Sequence, residues 1–395
     1  MRIAFFTETF LPQTNGIVTR LCHTLAGLQK RHGDRVLVIA PDMPGLPARY
    51  EGATVLGVPS VSLPFYTGFR LGLPLMSAQT RAALTAFSAD LVHAVNPVGG
   101  IGLLALHYAA QHHLPLVASF NTNLPDYARY YGFDALEQPL WHYLRWIHNQ
   151  AHLNLCPSSP VQARLQEQGI RNTALWRSGV DTELFHPQRR SHLWRERLTN
   201  GHADDLIILS VGRLAAEKGL DRLIAILPQL PGCHLALVGD GPAAAHLRQI
   251  ASGLPVTFAG TLTGADLAAA YASADLFALP SSTETFGFVT LEAQAAGLPV
   301  VAARRGGTLS LVLEGQSGLL FEPDSQEEML CALRTLIEQP EERVRMGLAA
   351  RRHIETAGWS WEAAISDLRL HYEQVITAAS NARTSKARQA PVEAA

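Results

Sequence analysis

The sequence predicts an α/β protein built from two doubly wound parallel sheets, and three observations carry that reading. Short apolar runs alternate with helix-length amphipathic segments along the whole chain. Strand, helix, strand at this spacing makes a parallel sheet covered by helices on both faces. The alternation stops at a polar stretch, residues 180–190 (VDTELFHPQRR), and then restarts. The chain has 395 residues, 47% of them hydrophobic and 17% charged, which is material for two sizeable cores.

Taken in order, the strands of the first half are 2–7, 35–40, 91–95, 116–120 and 153–157, each a short apolar run. Amphipathic patterns at 16–31, 99–112 and 138–150 are the helices between them. The second half repeats the scheme with strands 206–211, 234–239, 256–259, 276–280 and 300–302. Beyond 326 the pattern is mainly helical to about 377. The last stretch, 379–395 (ASNARTSKARQAPVEAA), has no apolar periodicity and is expected to be a disordered tail. Ligands in open parallel sheets bind beyond the carboxyl ends of the strands, so two facing sheets place the site in the cleft between them.

Composition excludes several classes. The net charge of −2 leaves no basic excess to neutralise a polynucleotide, so nucleic acid is not an expected partner. Cys22, Cys156, Cys233 and Cys331 are far apart, with neither zinc-site spacing nor a disulfide framework, and are expected as buried thiols. The start, MRIAFFTETFLP, lacks the basic residues and cleavage site of a secretion signal. No run reaches the ~18 apolar residues of a membrane helix, so a cytoplasmic protein is expected.

The strongest chemical signals follow strands of the second half. Strand 206–211 runs into Gly212-Arg213-Leu214-Ala215-Ala216-Glu217-Lys218-Gly219, where an arginine and a lysine span a strand-to-helix turn. A guanidinium and an ammonium there suit a diphosphate whose charge grows as a bond breaks. A surface turn with two solvated cations would read the same way. Only three of the 32 basic residues are lysine, however, and one of them stands here. Strand 234–239 ends in Gly239-Asp240-Gly241-Pro242, a tight turn that lets backbone approach a nucleotide closely. The segment 280–293 (PSSTETFGFVTLEA) puts Glu284 in a loop and Glu292 about a turn and a half into a helix. Eight helical residues rise ~12 Å, comparable to a folded nucleotide sugar. One carboxylate can then accept from sugar hydroxyls and the other from a ribose; two ordinary glutamates near a helix start are the alternative.

GRLAAEKG, VGDGP and PSSTETFGFVTLEAQAAGLPVVA resemble the nucleotide-sugar half of the retaining glycosyltransferases of family 4. These have the GT-B fold, two Rossmann-like doubly wound domains facing across a cleft. The resemblance implies Arg213 and Lys218 on the donor diphosphate and Glu284 on the donor sugar, the three residues assigned to catalysis. It implies Glu292 on the ribose, Gly16 of the Asn15-Gly16 turn beside the phosphate, and Gly239, Ser282, Phe286, Gly287 and Phe288 in the donor site. It also divides the chain into an acceptor domain (1–183), a nucleotide-sugar domain (184–358) and a helix (359–378) crossing back to the first, ahead of the tail (379–395).

In the first half TETFLPQTNGIVTRL, LVHAVNPVGG, HNQAHLNLCPSS and SGVDTELFHP look like the sulfoquinovosyl-diacylglycerol synthases and related glycolipid glycosyltransferases. That implies UDP-sulfoquinovose or a UDP-hexose as donor, and a lipid such as diacylglycerol as acceptor, at the inner face of a membrane. One position departs from the pattern. Where the family usually has a histidine in a Ser-Tyr-His-Thr-like setting, this chain reads Ser119-Phe120-Asn121-Thr122-Asn123. An amide hydrogen-bonds a sugar hydroxyl but exchanges no proton near neutral pH.

Asn121 is assigned to the sugar or acceptor, as are Asp126 and Tyr127 beyond it, although a plain helix start explains the last two equally well. The apolar loop 59–76 reads as buried packing or as a lipid-facing lip. Trp141, Tyr143 and Trp146 read as core rather than membrane anchor, and His93 as an ordinary histidine without metal spacing. No nucleophile and no Asp-x-Asp element stands at the donor site, so a metal-independent transferase without cofactor is expected, with attack from the face the leaving phosphate occupies. A polysaccharide, phosphatidylinositol or small soluble acceptor stays open, as does a non-catalytic nucleotide-sugar binder suggested by Asn121.

Overall fold

The computed structural model describes residues 1–62 and 70–389. The first half contributes β1 (Arg2–Thr7), β2 (Arg35–Pro41), β3 (Arg49–Tyr50), β4 (Ala53–Val58), β5 (Ser60–Ser62), β6 (Arg70–Gly72), β7 (Leu91–Val95), β8 (Leu116–Ser119), β9 (Leu153–Cys156) and β10 (Thr173–Leu175). Eight of them form one sheet in the order β10-β9-β8-β7-β1-β2-β4-β3, parallel except where β3 meets β4; β5 and β6 form a separate hairpin. The second half contributes β11 (Leu206–Val211), β12 (Cys233–Val238), β13 (Val256–Gly260), β14 (Leu276–Leu279), β15 (Val300–Ala303) and β16 (Gly318–Phe321). They form an all-parallel sheet in the order β13-β12-β11-β14-β15-β16.

The ten expected strands are present, because strands covered on both faces must be apolar throughout and so stand out as unbroken runs. Every residue of β7 is buried, His93 included. That ring is bonded to the Tyr372 hydroxyl, and burial holds its pKa down at about 3, so it is a core histidine. The strands the pattern misses are short or lie towards sheet edges: β10 and β16 have three and four residues, and β4 mixes buried positions with an exposed Thr54 and the half-buried Leu56 and Gly57.

Strand order reverses between β1 and β7 in one sheet and between β11 and β14 in the other. Successive connections leave these points in opposite directions, which opens a crevice at the carboxyl ends of the strands. The loops after β1, β7, β11 and β14 therefore build the site. Asn15 caps the helix that follows β1, Gly16–His32, its Oδ1 accepting from Ile17 and Val18 N–H at 3.0 Å.

The last helix, Trp361–Gln389, presents Ile365, Leu368, Tyr372 and Val375 at helical spacing to the core of the first sheet, beside Leu21, Leu25 and Leu28. Where the chain crosses between the domains, Val180 N–H donates to Trp359 O at 3.0 Å. The tail expected from 379 is instead helical as far as Gln389. Its Ala, Arg and Lys residues carry helix propensity without needing an apolar face; 390–395 lie outside the described residues. The thiols also depart from expectation. All four are free, but only Cys156 and Cys233 are buried, and Cys331 is exposed on the helix Gln326–Glu338.

Candidate active site

β11 delivers Gly212-Arg213-Leu214 to the cleft, a turn at Ala216–Lys218 follows, and the helix Leu220–Ile226 begins behind it. Arg213 and Lys218 line one small cavity. Each is held by a carboxylate: the guanidinium donates to Glu217 Oε1 and the ammonium to Glu284 Oε1. Burial pulls the lysine down, but Glu284, Tyr127 and Glu217 around it outweigh that and hold its pKa above the ordinary lysine value. Lys218 is a fixed positive charge.

The first domain reaches across to this turn. Tyr131 Oη donates to Glu217 Oε2 at 2.7 Å, and Tyr130 Oη donates to Ala216 O. Tyr127, on the helix Leu124–Tyr130, has its phenol pKa raised by burial and feels Lys218, Glu284, Glu217 and Arg213 together. The five side chains form one charged cluster at the domain interface.

Two glycines set how tightly the surrounding loops pack. Gly239, after β12, has φ +132°, and a Cβ there would stand 1.9 Å from Gly212 O. Backbone lies on backbone, so only glycine fits. Gly306, after β15, has φ +59°, and its Cβ would stand 2.0 Å from Glu284 O, while Gly307 N–H donates to that same oxygen at 3.0 Å. This clamp fixes the Glu284 backbone. Thr285 Oγ1 donates to Asn121 O at 3.0 Å, and Ser158 Oγ donates to Thr285 O at 3.2 Å, tying the Glu284 loop to the first domain.

Arg213, Lys218, Glu284, Tyr127, Asn121 and Ser282 thus meet at the cleft. Gly287, with φ +95°, precedes the helix Phe288–Ala295, and Gly16 faces the Phe288 ring across the interface. Three residues have geometry or partners that the sequence does not show. Glu292 is one turn into that helix, and only the steps after Gly287 are helical, so the pair is not spaced by eight helical residues. It accepts from Tyr271 Oη at 2.9 Å; burial pushes its carboxyl up to about 7, the tyrosine drawing it partly back. Phe286 turns its ring into the core against Phe288 and Trp359, which leaves only its backbone for a donor. Asp126 is committed within the first domain: Arg164 donates to its two oxygens at 2.8 and 2.6 Å and Asn123 Nδ2 donates at 2.6 Å.

Asn121 is held in orientation. Its Nδ2 donates to Ser119 Oγ at 3.1 Å, and its Oδ1 accepts from Arg20 Nη1 at 3.4 Å. Arg20 is itself buried, with its guanidinium 3.5 Å from the centre of the Trp176 ring. Trp141 is core, but Trp146 on the same helix, Glu137–His148, is 51% exposed. Of the apolar loop 59–76, residues 63–69 lie outside the described residues.

Sequence reasoning misses Glu217, Tyr131, Arg305 and Glu8. Glu217 had a usable signal, four residues after Arg213. Glu8, just past β1, accepts from Gly99 and Gly102 N–H at 3.1 and 2.9 Å at the start of the helix Gly100–Gln111. Only the fold brings those together.

Residues 194–353 match the family described as glycosyl transferases group 1, and residues 14–184 match glycosyltransferase family 4. The chain belongs to the family 4 glycosyltransferases. It is 37% identical to the sulfoquinovosyl transferase SQD2 of Arabidopsis thaliana over 93% of this chain and 72% of that one. It is also 37% identical to a GDP-mannose-dependent alpha-mannosyltransferase of Mycolicibacterium smegmatis over 95% and 98% of the two chains. Among solved structures, Anabaena HepE in complex with UDP superposes with a TM-score of 0.76 at 22% identity, covering 95% of this chain and all of that one. Sucrose-phosphate synthase of Thermosynechococcus elongatus gives 0.77 at 21%, over 95% and 99%. The glycosyltransferase therefore has the GT-B fold.

Among the described residues of this glycosyltransferase no three His, Cys, Asp or Glu side chains are grouped to hold a metal ion, and no helix is long and apolar enough to cross a membrane. What the cluster offers chemically is two cations beside a carboxylate, at the point where a parallel sheet presents its loops.

Proposed function

We propose that the protein is a retaining, metal-independent glycosyltransferase that moves a sugar from a nucleoside-diphosphate donor, UDP-sulfoquinovose or a UDP-hexose, to a lipid such as diacylglycerol at a membrane surface. The observation that carries this reading is the arrangement of Arg213, Lys218 and Glu284, each charge matched and each on a loop at the switch point of the second sheet.

Arg213 and Lys218 take the departing diphosphate, whose negative charge grows as the glycosidic bond breaks. Glu284, released from Lys218 as the diphosphate arrives, accepts from hydroxyls of the donor sugar and sets the anomeric carbon towards the acceptor. The acceptor hydroxyl attacks from the face the phosphate leaves, and the phosphate takes its proton. Glu292 accepts from the ribose. Asn121 hydrogen-bonds the sugar as a neutral amide and moves no proton.

The lipid acceptor is supported by relatives named as phosphatidylinositol monomannoside mannosyltransferases and by Phe133, Leu136 and Trp146, which are 60%, 49% and 51% exposed on the helix Glu137–His148 and just before it. Such a surface suits attachment at the membrane interface, on the cytoplasmic face. A second donor reading, GDP-mannose, has its own support. Three relatives named GDP-mannose-dependent alpha-mannosyltransferases align with this chain over 89–98% of their length. A panel of UDP-sulfoquinovose, UDP-glucose and GDP-mannose, scored by release of the nucleoside diphosphate with and without diacylglycerol vesicles, separates the two.

A further inference from the structure

A cavity of about 150 Å³ lies between the domains, lined by Asp126, Arg164, Ser282, Thr283, Glu284 and Arg305 among others. Two carboxylates and two guanidinium groups line it, but they do not all pair with one another. Without a donor, Asp126 is bound by Arg164 and Glu284 by Lys218, so neither carboxylate pairs with Arg305. Arg305 is left over. Its side chain makes no hydrogen bond or ion pair with a described residue, while its backbone is pinned: its N–H donates to Thr308 Oγ1 at 3.3 Å, and that hydroxyl donates to Arg305 O at 2.8 Å. The guanidinium therefore projects from a fixed root.

Thr283 also lines this cavity; the residue is 9% exposed, and its fully buried hydroxyl has no hydrogen-bond partner. A buried hydroxyl without a partner is a standing cost that a ligand oxygen removes. A guanidinium without a carboxylate of its own, lining one cavity with an unsatisfied hydroxyl, is the chemistry that recognises an oxyanion.

We infer that Arg305 and Thr283 form an oxyanion subsite, which takes a phosphate, sulfonate or carboxylate carried by one of the two substrates. This rests on the transferase reading above. Thr283 adjoins Glu284, so the bound group lies next to the carboxylate that holds the donor sugar, and the clamp through Gly306 keeps Arg305 there. The anion belongs either to the transferred sugar or to the head group of the acceptor.

The test uses the purified full chain and its Arg305→Gln, Arg305→Lys and Thr283→Val variants, all of them altering side chains without an internal partner. One arm compares kcat/KM for UDP-sulfoquinovose and UDP-glucose with diacylglycerol vesicles. The other compares vesicles of diacylglycerol and of phosphatidylinositol with the best neutral donor. Arg305→Gln is expected to lower the charged-over-neutral ratio about tenfold or more in one arm, through KM, with Arg305→Lys retaining part and Thr283→Val falling between. Loss in the donor arm assigns the anion to the sugar, and loss in the acceptor arm assigns it to the head group. Ratios unchanged within about twofold in both arms, with turnover intact, overturn the subsite alone. No nucleotide release or donor binding by the parent protein in any arm overturns the transferase reading, and the subsite with it.

Discussion

The Tyr131 hydroxyl, from the first domain, donates at 2.7 Å to Glu217 Oε2, and the other oxygen of that buried carboxylate holds the Arg213 guanidinium of the second domain. One carboxylate thereby ties the first domain to the arginine that we propose for the diphosphate. Tyr131→Phe keeps the ring and removes the hydroxyl. It is expected to raise the donor KM by roughly 3–10-fold, with a smaller change in kcat and little change in melting temperature, since the ring is half exposed. Steady-state kinetics at varied donor concentration check this; an unchanged KM contradicts the coupling.

Gly239 and Gly33 both have positive φ, but a Cβ at Gly33 meets nothing within 4 Å whereas one at Gly239 meets Gly212 O at 1.9 Å. Gly33→Ala is expected to cost about 1 kcal/mol, from the backbone conformation alone. Gly239→Ala must also push two loops apart, and is expected to cost about 3 kcal/mol or more and to weaken binding of the nucleoside diphosphate. Denaturant midpoints and calorimetric titration with UDP read the two effects.

How far the sequence carries the fold can be judged element by element. β1, β7, β11 and β14 were legible because a strand covered on both faces announces itself as an apolar run, and those four strands position the site. That Arg213, Lys218 and Glu284 meet at the cleft was legible because they lie in short segments directly after such strands. Glu8 and Arg305 were not. Glu8 acquires its role from Gly99 and Gly102, more than ninety residues away, and Arg305 from a clamp onto Glu284 across the sheet. Asp126 lines the cavity between the domains, as its neighbourhood in sequence suggests, but its pairing with Arg164 comes only from folding.

Glu8 makes stability depend on pH. Burial pushes its carboxyl from 4.5 up to about 7, against the pull of the Gly102, Gly99 and Ile101 N–H groups. A carboxyl that is more basic folded than unfolded holds extra protons in the folded state between those values, so stability falls as pH rises through the window from 4.5 to about 7. The loss from this group is at most roughly 3 kcal/mol. Glu8→Gln is expected to flatten the dependence, gaining on the parent above pH ~7 and not below pH ~5. Urea midpoints at the two extremes decide it, and parallel curves for parent and variant contradict the assignment.

Glu292 titrates in the same range and adds to the same loss of stability, and it also bears on binding. In the role proposed for it, the ionised carboxylate accepts from ribose hydroxyls, and burial holds its pKa up at about 7. Donor affinity is therefore expected to rise as pH increases through about 7, with proton release on binding. Glu292→Gln should remove the pH dependence and weaken binding at high pH. Titration calorimetry in two buffers of different ionisation enthalpy measures both quantities; an affinity independent of pH in the parent contradicts this role.

The central claim is that Arg213, Lys218 and Glu284 transfer a sugar from a nucleotide donor to a lipid without metal. It is tested most directly by nucleoside diphosphate release from UDP-sulfoquinovose, UDP-glucose and GDP-mannose, in chelator, with and without diacylglycerol vesicles, for the parent and Glu284→Ala. The expected result is release from one donor that rises with vesicles and falls about a hundredfold or more in the variant. Donor binding with no release under any acceptor, or release that Glu284→Ala leaves intact, would contradict it.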